Sequence, residues 1–464
     1  MKNFKLLFLS IIMALAFIAC DEPKQVSLLD YVPQSAEGVM SFNAQKFFSE
    51  AGCDVIGDKV EMNSALRTIY KHSQYHDALP FDVDSLLASG SVDTRQIIAY
   101  EHGGCRLLSF ILSDRKALDK QLLRDDRSWT VEGDYESIAL KNQVVMLREC
   151  GEKYLCWVGH GYAPSLIQAI EEAILAPISA CEWKREYLCG DRIFSGLVDV
   201  NFLENAMAAI AFDSERDYAT IDLKFLDSEG KRVAFIDDQL APINAEFIQY
   251  LYPHDNIAFA VGIPDSVDWD SFVEEFLPRM NNNVKMAIAM AMPYLYDVSG
   301  TLAVAVGPAA GAQSILNVGD DTWDFVVQLP FKENRATEIY QQVKAIVESN
   351  GGEEIEGCLE YKVDDVIYLL ALDGNNLIFS NREIMKRGDA SIAPDVFDGK
   401  LIAFAGEIGY ASELSKALKM PFGVSVSAWC EEKNIHARAR LNKSGNSFLN
   451  ATLNELVQRK QWKE

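Results

Sequence analysis

Catalytic signatures are what this sequence has least of. Only six of its 464 residues are histidine. No Gly-x-Ser-x-Gly occurs, so the strained nucleophile turn of the α/β-hydrolases is missing. No Cys-x-x-Cys occurs, which removes a dithiol redox motif and a zinc ribbon. The lysine of a phosphate-binding loop is absent as well, and Asp82, Asp84 and Asp93 do not have the spacing of a calcium loop. Positive charge is scarce: 43 Lys+Arg against 68 Asp+Glu give a net of −25, which argues against nucleic acid as a partner. The apolar run Leu6–Ala19, broken only by Ser10, is shorter than the roughly 20 residues that a membrane-spanning helix needs.

What is present describes a folded globular chain, with 49% hydrophobic, 24% charged and 10% aromatic residues. Lys2 and Lys5 followed by the Leu6–Ala19 run fit a secretory signal. That run ends in Phe17-Ile18-Ala19-Cys20, which resembles a bacterial lipobox, with Phe17 where leucine is usual. The resemblance implies diacylglycerol on the Cys20 sulfur and cleavage before it, giving a signal peptide over 1–19 and a lipidated tether over 20–30. One acyl chain binds a membrane reversibly, whereas two or three hold permanently. The expected location is the cell envelope, lipid-anchored in the outer membrane and either periplasmic or surface-exposed. Asp21-Glu22 resembles the acidic export signal of Bacteroidetes surface lipoproteins.

The remainder repeats itself. Gly38–Phe42 leading into a helix over Ala44–Ala51 parallels Asn256–Val261 leading into Trp269–Leu277. Cys105–Leu112 with a helix over Arg115–Arg124 parallels Trp323–Leu329 with Arg335–Glu348. The strand trio Tyr135–Leu140, Val144–Arg148 and Tyr154–Gly159 parallels Cys358–Val363, Val366–Leu372 and Asn376–Phe379. Asp191–Val198 entering a helix over Phe202–Ile210 parallels Lys400–Gly406 entering one over Ser412–Leu418. The hairpin Thr220–Leu226 with Arg232–Ile236 parallels His436–Leu441 with Phe448–Thr452. Turn residues that tolerate positive φ, such as Asp373-Gly374-Asn375, punctuate these strands.

This pattern predicts an α+β chain of two tandem, mutually similar domains, 31–249 and 250–464. Each is a mostly antiparallel sheet with helices packed on one face. Helical insertions over Lys59–Leu87 and Phe276–Tyr296 are expected to cover sheet ends, with Met286, Met290 and Met292 as core filling. The eight cysteines other than Cys20 read mainly as buried thiols, with Cys150/Cys156 or Cys181/Cys189 as candidate local bridges.

Two weak constellations remain. His72 and His76, with Asp77, share one predicted helix face at metal-ligand spacing, but Ser73 replaces the glutamate of a metalloprotease helix. Gly159-His160-Gly161 precedes a helix beginning near Pro164 and reads as a strand-to-helix turn. No catalytic, cofactor or metal residue is assigned from either, and no cofactor is expected. Trp129, Trp183, Trp269, Trp323, Trp429 and Trp462 lie mostly in apolar patterns and read as core.

The lipobox, the opening Tyr31-Val32-Pro33-x-x-Ala36 and the strand–helix units over the mature chain resemble an uncharacterised family of Bacteroidetes lipoproteins. The resemblance implies an envelope location and no catalytic residues. The expectation is therefore a binding or interaction role, with protein, peptide or glycan as partner and the membrane reached through Cys20. An envelope hydrolase without a signature, and a structural subunit of an envelope complex, are the alternatives.

Overall fold

In the computed structural model the chain divides by contacts into two units, residues 1–233 with 444–464, and residues 234–443. The structure describes residues 27–459 except 58, 73–78, 125–126, 141–142, 201–205, 234–238, 254, 268, 270–293, 309–322, 364–365, 389, 391, 409–423, 432–433 and 442–446. Cys20 and the signal segment lie outside the described residues, as do His76, Asp77, Trp462 and the expected helix over Ser412–Leu418. Most of Trp269–Leu277 and Phe276–Tyr296 also falls outside them.

In unit 1 the chain forms β1 (Gly38–Phe42), α1 (Ala44–Glu50), a small hairpin β2–β3 (Asp54–Ile56, Lys59–Glu61), α2 (Ser64–His72) and α3 (Val83–Ser89). It continues through β4 (Val92–His102), β5 (Cys105–Leu112), α4 (Lys116–Leu122), β6 (Thr130–Glu132), β7 (Tyr135–Ala139), β8 (Val144–Cys150) and β9 (Lys153–His160). Then come α5 (Ala163–Leu175), α6 (Glu182–Leu188), β10 (Phe194–Asp199), β11 (Met207–Ser214) and β12 (Tyr218–Leu226). Every described pairing is antiparallel, in the order β12-β11-β10-β1-β4-β5-β9-β8-β7-β6.

The helices of this unit do not keep to one face. β1 is buried on both sides, Met40 and Phe42 facing one core and Val39 the other. The first core takes α1–α4, and the second takes α5, α6 and the 3-10 turn Leu28–Tyr31. Adjacent β4 residues divide in the same way, Ile97 to the first core and Ile98 to the second. Neither strand has the wet face that a one-sided antiparallel sheet requires, and the expected one-sided cover is corrected accordingly.

Unit 2 contains β13 (Ile257–Ile263), β14 (Gly300–Pro308), β15 (Trp323–Pro330), α7 (Arg335–Ser349), β16 (Glu353–Ile355), β17 (Cys358–Val363), β18 (Val366–Asp373) and β19 (Asn376–Ser380). β20 (Ile402–Ile408), β21 (Val424–Glu431) and β22 (Asn434–Leu441) complete it. Its order, again antiparallel, is β22-β21-β20-β13-β14-β15-β19-β18-β17-β16. Rung for rung this is the order of unit 1. Gly196 of β10 lies opposite Met40, and Gly406 of β20 lies opposite Ile257. Each glycine leaves room for the phenylalanine two residues before it: a Cβ would stand 3.1 Å from the Phe194 ring and 3.4 Å from the Phe404 ring. The surroundings differ, however. β8 buries Val144–Leu147, whereas no residue of β18 is fully buried.

Other local readings change too. Met207–Ser214 is a strand where a helix was expected, because pairing with β10 and β12 outweighs the helix propensity of its alanines. Lys59–Glu61 is a strand ahead of α2. Arg232 bridges Leu226, and the rest of the expected strand Arg232–Ile236 lies largely outside the described residues. Phe448–Thr452 opens α8 (Phe448–Arg459), with Leu449 and Leu453, one helical turn apart, packed on the first core of unit 1. None of the eight described cysteines forms a disulfide. Cys156 and Cys150 face opposite cores. Cys181 and Cys189 flank the seven-residue α6, so they stand about 12 Å apart along it, beyond the ~7 Å limit for bridging.

Candidate functional site

A polar concavity lies in unit 2, where β14 and β19 begin and β15 and β18 end. It is a cleft of 780 Å³. Its floor is made by Thr301 and Gln328, both almost fully buried, with Gln328 Nε2 donating to the Thr301 carbonyl at 2.9 Å. Across from the strand ends runs the 3-10 segment Ala245–Tyr250, capped by Asn244, whose side chain accepts from Glu246 N at 2.9 Å. Asn244 N in turn donates to Thr301 Oγ1 at 2.8 Å, which ties the segment to the floor.

Five carboxamides line this cleft: Asn244, Gln249, Gln328, Asn375 and Asn376. Four carboxylates, Glu246, Asp265, Glu333 and Asp373, join them against the single cation Lys332. Lys386, at 2.8 Å, and the Tyr250 hydroxyl hold the Asp373 carboxyl below its usual range. Burial, and then the carboxylate of Asp373, push the Tyr250 phenol up. Asp265 accepts from the Ser299 hydroxyl. Among the described residues, no histidine or cysteine lines the cleft. A set of this kind presents many donors and acceptors, fixed by backbone at the strand ends, and suits hydrogen-bonded recognition.

The residues singled out from sequence are dispersed. His72 ends α2 in unit 1. His160 ends β9 opposite Arg106, and Gly161 takes φ +138° before α5. Tyr162 caps α5 without a side-chain hydrogen bond, and Pro164 sits in its first turn, which is the strand-to-helix turn that was expected. Among the described residues no group of three or more His, Cys, Asp or Glu side chains is placed to hold a metal. Trp157, which was not singled out, is the largest fully buried side chain, while Trp129 donates to Asp119 and stacks under Arg115.

Two further concavities are plain packing features. In unit 1 a 600 Å³ notch holds Asp82, Lys120, Gln121 and Arg124, and there Gln121 already accepts from Asp82 N at 2.6 Å. In unit 2 a 340 Å³ groove is lined by apolar and aromatic residues, among them Val343, Tyr361, Tyr368 and Phe379. No protein-family model, curated protein or solved structure matches this chain. Among the described residues no helix is long and apolar enough to cross a membrane.

Proposed function

We propose that this chain is a binding protein of the cell envelope, anchored through lipid at Cys20, that holds a ligand rich in hydroxyl or amide groups in the polar cleft of unit 2. The observation that carries the reading is the convergence of five carboxamides on one cleft. Its excess of carboxylates favours a neutral glycan or a basic peptide over a polyanion. The anchor rests on the lysines, apolar run and Ala19-Cys20 of the sequence. The likeness to uncharacterised Bacteroidetes lipoproteins belongs to the same reading. We further infer that the two units descend from one duplicated α+β domain. Their shared ten-strand order and the matching Phe-x-Gly rungs of β10 and β20 support this.

Glycan-array screening and calorimetry with basic peptides test the cleft. Binding is expected to fall more than tenfold in Gln249→Ala and in Asn376→Ala, and a ligand held equally by both variants would move the site elsewhere. Cys20→Ala is expected to abolish incorporation of labelled palmitate; undiminished labelling would remove the anchor.

A further inference from the structure

A second cavity, lined by two arginines, lies in unit 1. The directly paired residues Ser41 of β1 and Ser195 of β10 line a cavity of 240 Å³. It is walled by Arg95 and Gln96 of β4, Asn43, Asp191 and Arg192, with the Arg95 guanidinium already held by Asp93 at 2.9 Å. Arg95 and Gln96 are neighbours in a strand and would ordinarily point to opposite faces. The register of β4 against β5 shifts between Asp93 and Ile98, and such an irregularity re-aims side chains, so both reach the cavity.

Three observations set this cavity apart. The Ser195 hydroxyl is buried, with the residue 2% exposed, and has no hydrogen-bond partner. A buried hydroxyl left in that state pays its desolvation without the return of a hydrogen bond. The corresponding rung of unit 2 pairs Ala258 with Ala405, so the strand pairing does not require serine there. Finally, Arg192, Arg232 and Lys224 stand near one another on this flank, with Asp191 and Asp222 as the neighbouring carboxylates. Arg192 lies over the Tyr187 ring at 5.4 Å, and Lys224 is lowered by burial and then by the nearby Arg232 and Arg192. Gln96 Nε2 adds a further donor, 3.3 Å from Ser41 Oγ.

We propose that this cavity binds a small oxyanion, the carboxylate or phosphoryl group of a compact ligand, with the Ser195 hydroxyl and the Arg192 guanidinium as its donors. Two guanidiniums, that of Arg95 paired with Asp93, stand in the wall against the one carboxylate of Asp191, and hydrogen bonds from guanidinium to an oxyanion are the strong, charge-assisted kind. At 240 Å³ the space admits a small group rather than a drug-sized molecule. The site is independent of the polar cleft of unit 2.

The test titrates the full chain with inorganic phosphate and, separately, acetate at constant ionic strength, reading both calorimetric heat and the rise in Tm that accompanies binding to the folded state. Saturable binding of at least one anion is expected, weakened at least tenfold in Arg192→Gln and in the double variant S41A/S195A. Unit 2 carries alanines on the matching rung, so the double variant is expected to fold, and circular dichroism checks it. The preferred anion tells phosphoryl from carboxylate ligands. Absence of saturable binding, or equal binding by folded variants, overturns the proposal.

Discussion

At the residue scale the most consequential pair in unit 2 is Asp255 with Arg382. Asp255 is fully buried, and the Arg382 side chain is nearly so. Nη1 donates to Oδ1 at 2.5 Å and Nη2 to Oδ2, while Tyr252 N supplies a further donor at 2.7 Å. The guanidinium also lies 4.2 Å from the centre of the Tyr252 ring. Such a pair gains little over an apolar replacement, but removing one partner strands a buried charge. Asp255→Ala should therefore cost about 3–5 kcal/mol in urea unfolding, and an Asp255→Leu/Arg382→Met double variant much less. A single variant as stable as the parent would contradict this.

Titration acts at the same scale. Burial pushes the Cys53 thiol up to about 11, only partly opposed by the Asn63 N–H that points at its sulfur. Burial also raises the Tyr187 phenol to about 12. The unfolded chain releases these protons at lower pH than the folded one, so stability is retained below about 9 and falls as pH rises toward 11. Cys53→Ala should flatten that fall in urea titrations at pH 8, 10 and 11. At the acid end burial raises Asp93, but Arg95 and Lys153 outweigh it and leave the carboxyl below its usual value. Its contribution is present above about pH 4 and is lost as the medium becomes more acid.

At the scale of elements, strands bounded by turn residues were legible in the sequence. β7–β9 and β17–β19 appear where alternation and turn residues, Glu149-Cys150-Gly151-Glu152 and Asp373-Gly374-Asn375 among them, placed them. What was not legible depended on partners distant in sequence. The Met-Ala-Ala-Ile run of β11 has no local reason to be extended and becomes so between β10 and β12. Phe448–Thr452 alternates well enough to read as a strand, and its burial of Leu449 and Leu453 against unit 1 decides for a helix. The polar cleft was invisible for the same reason. Its lining comes from separated stretches around residues 244–249, 299–301, 328–333 and 373–376, of which Asp373-Gly374-Asn375 had meaning only as a turn. The two-faced cover of unit 1 gives a prediction at this scale. Leu166 of α5 is fully buried in the second core, so Leu166→Ala should cost about 2–5 kcal/mol. A cost below 1 kcal/mol by denaturant titration would mean that α5 does not hold that face.

At the scale of the whole molecule, the chain leaves unit 1 after residue 233 and returns to it at residue 444. Gly52, at φ +75°, lets the Asn450 side chain approach so closely that a Cβ would stand 2.5 Å from its Nδ2. The Ser447 hydroxyl donates to Glu50 at 2.9 Å. Deleting residues 444–464 is accordingly expected to accelerate amide exchange in α1 and α2 while leaving β13 and β20 as protected as before. Faster exchange in unit 2 instead would contradict the assignment of α8.

That returning helix also sets a temporal order. The ribosome makes α8 only after all of unit 2, so unit 1 cannot lock until that helix has emerged, although nearly all of its own residues were made first. A product cut short by a stop codon or a protease keeps an open seam beside Phe47 and Phe48, and the quality-control machinery can recognise it as unfinished.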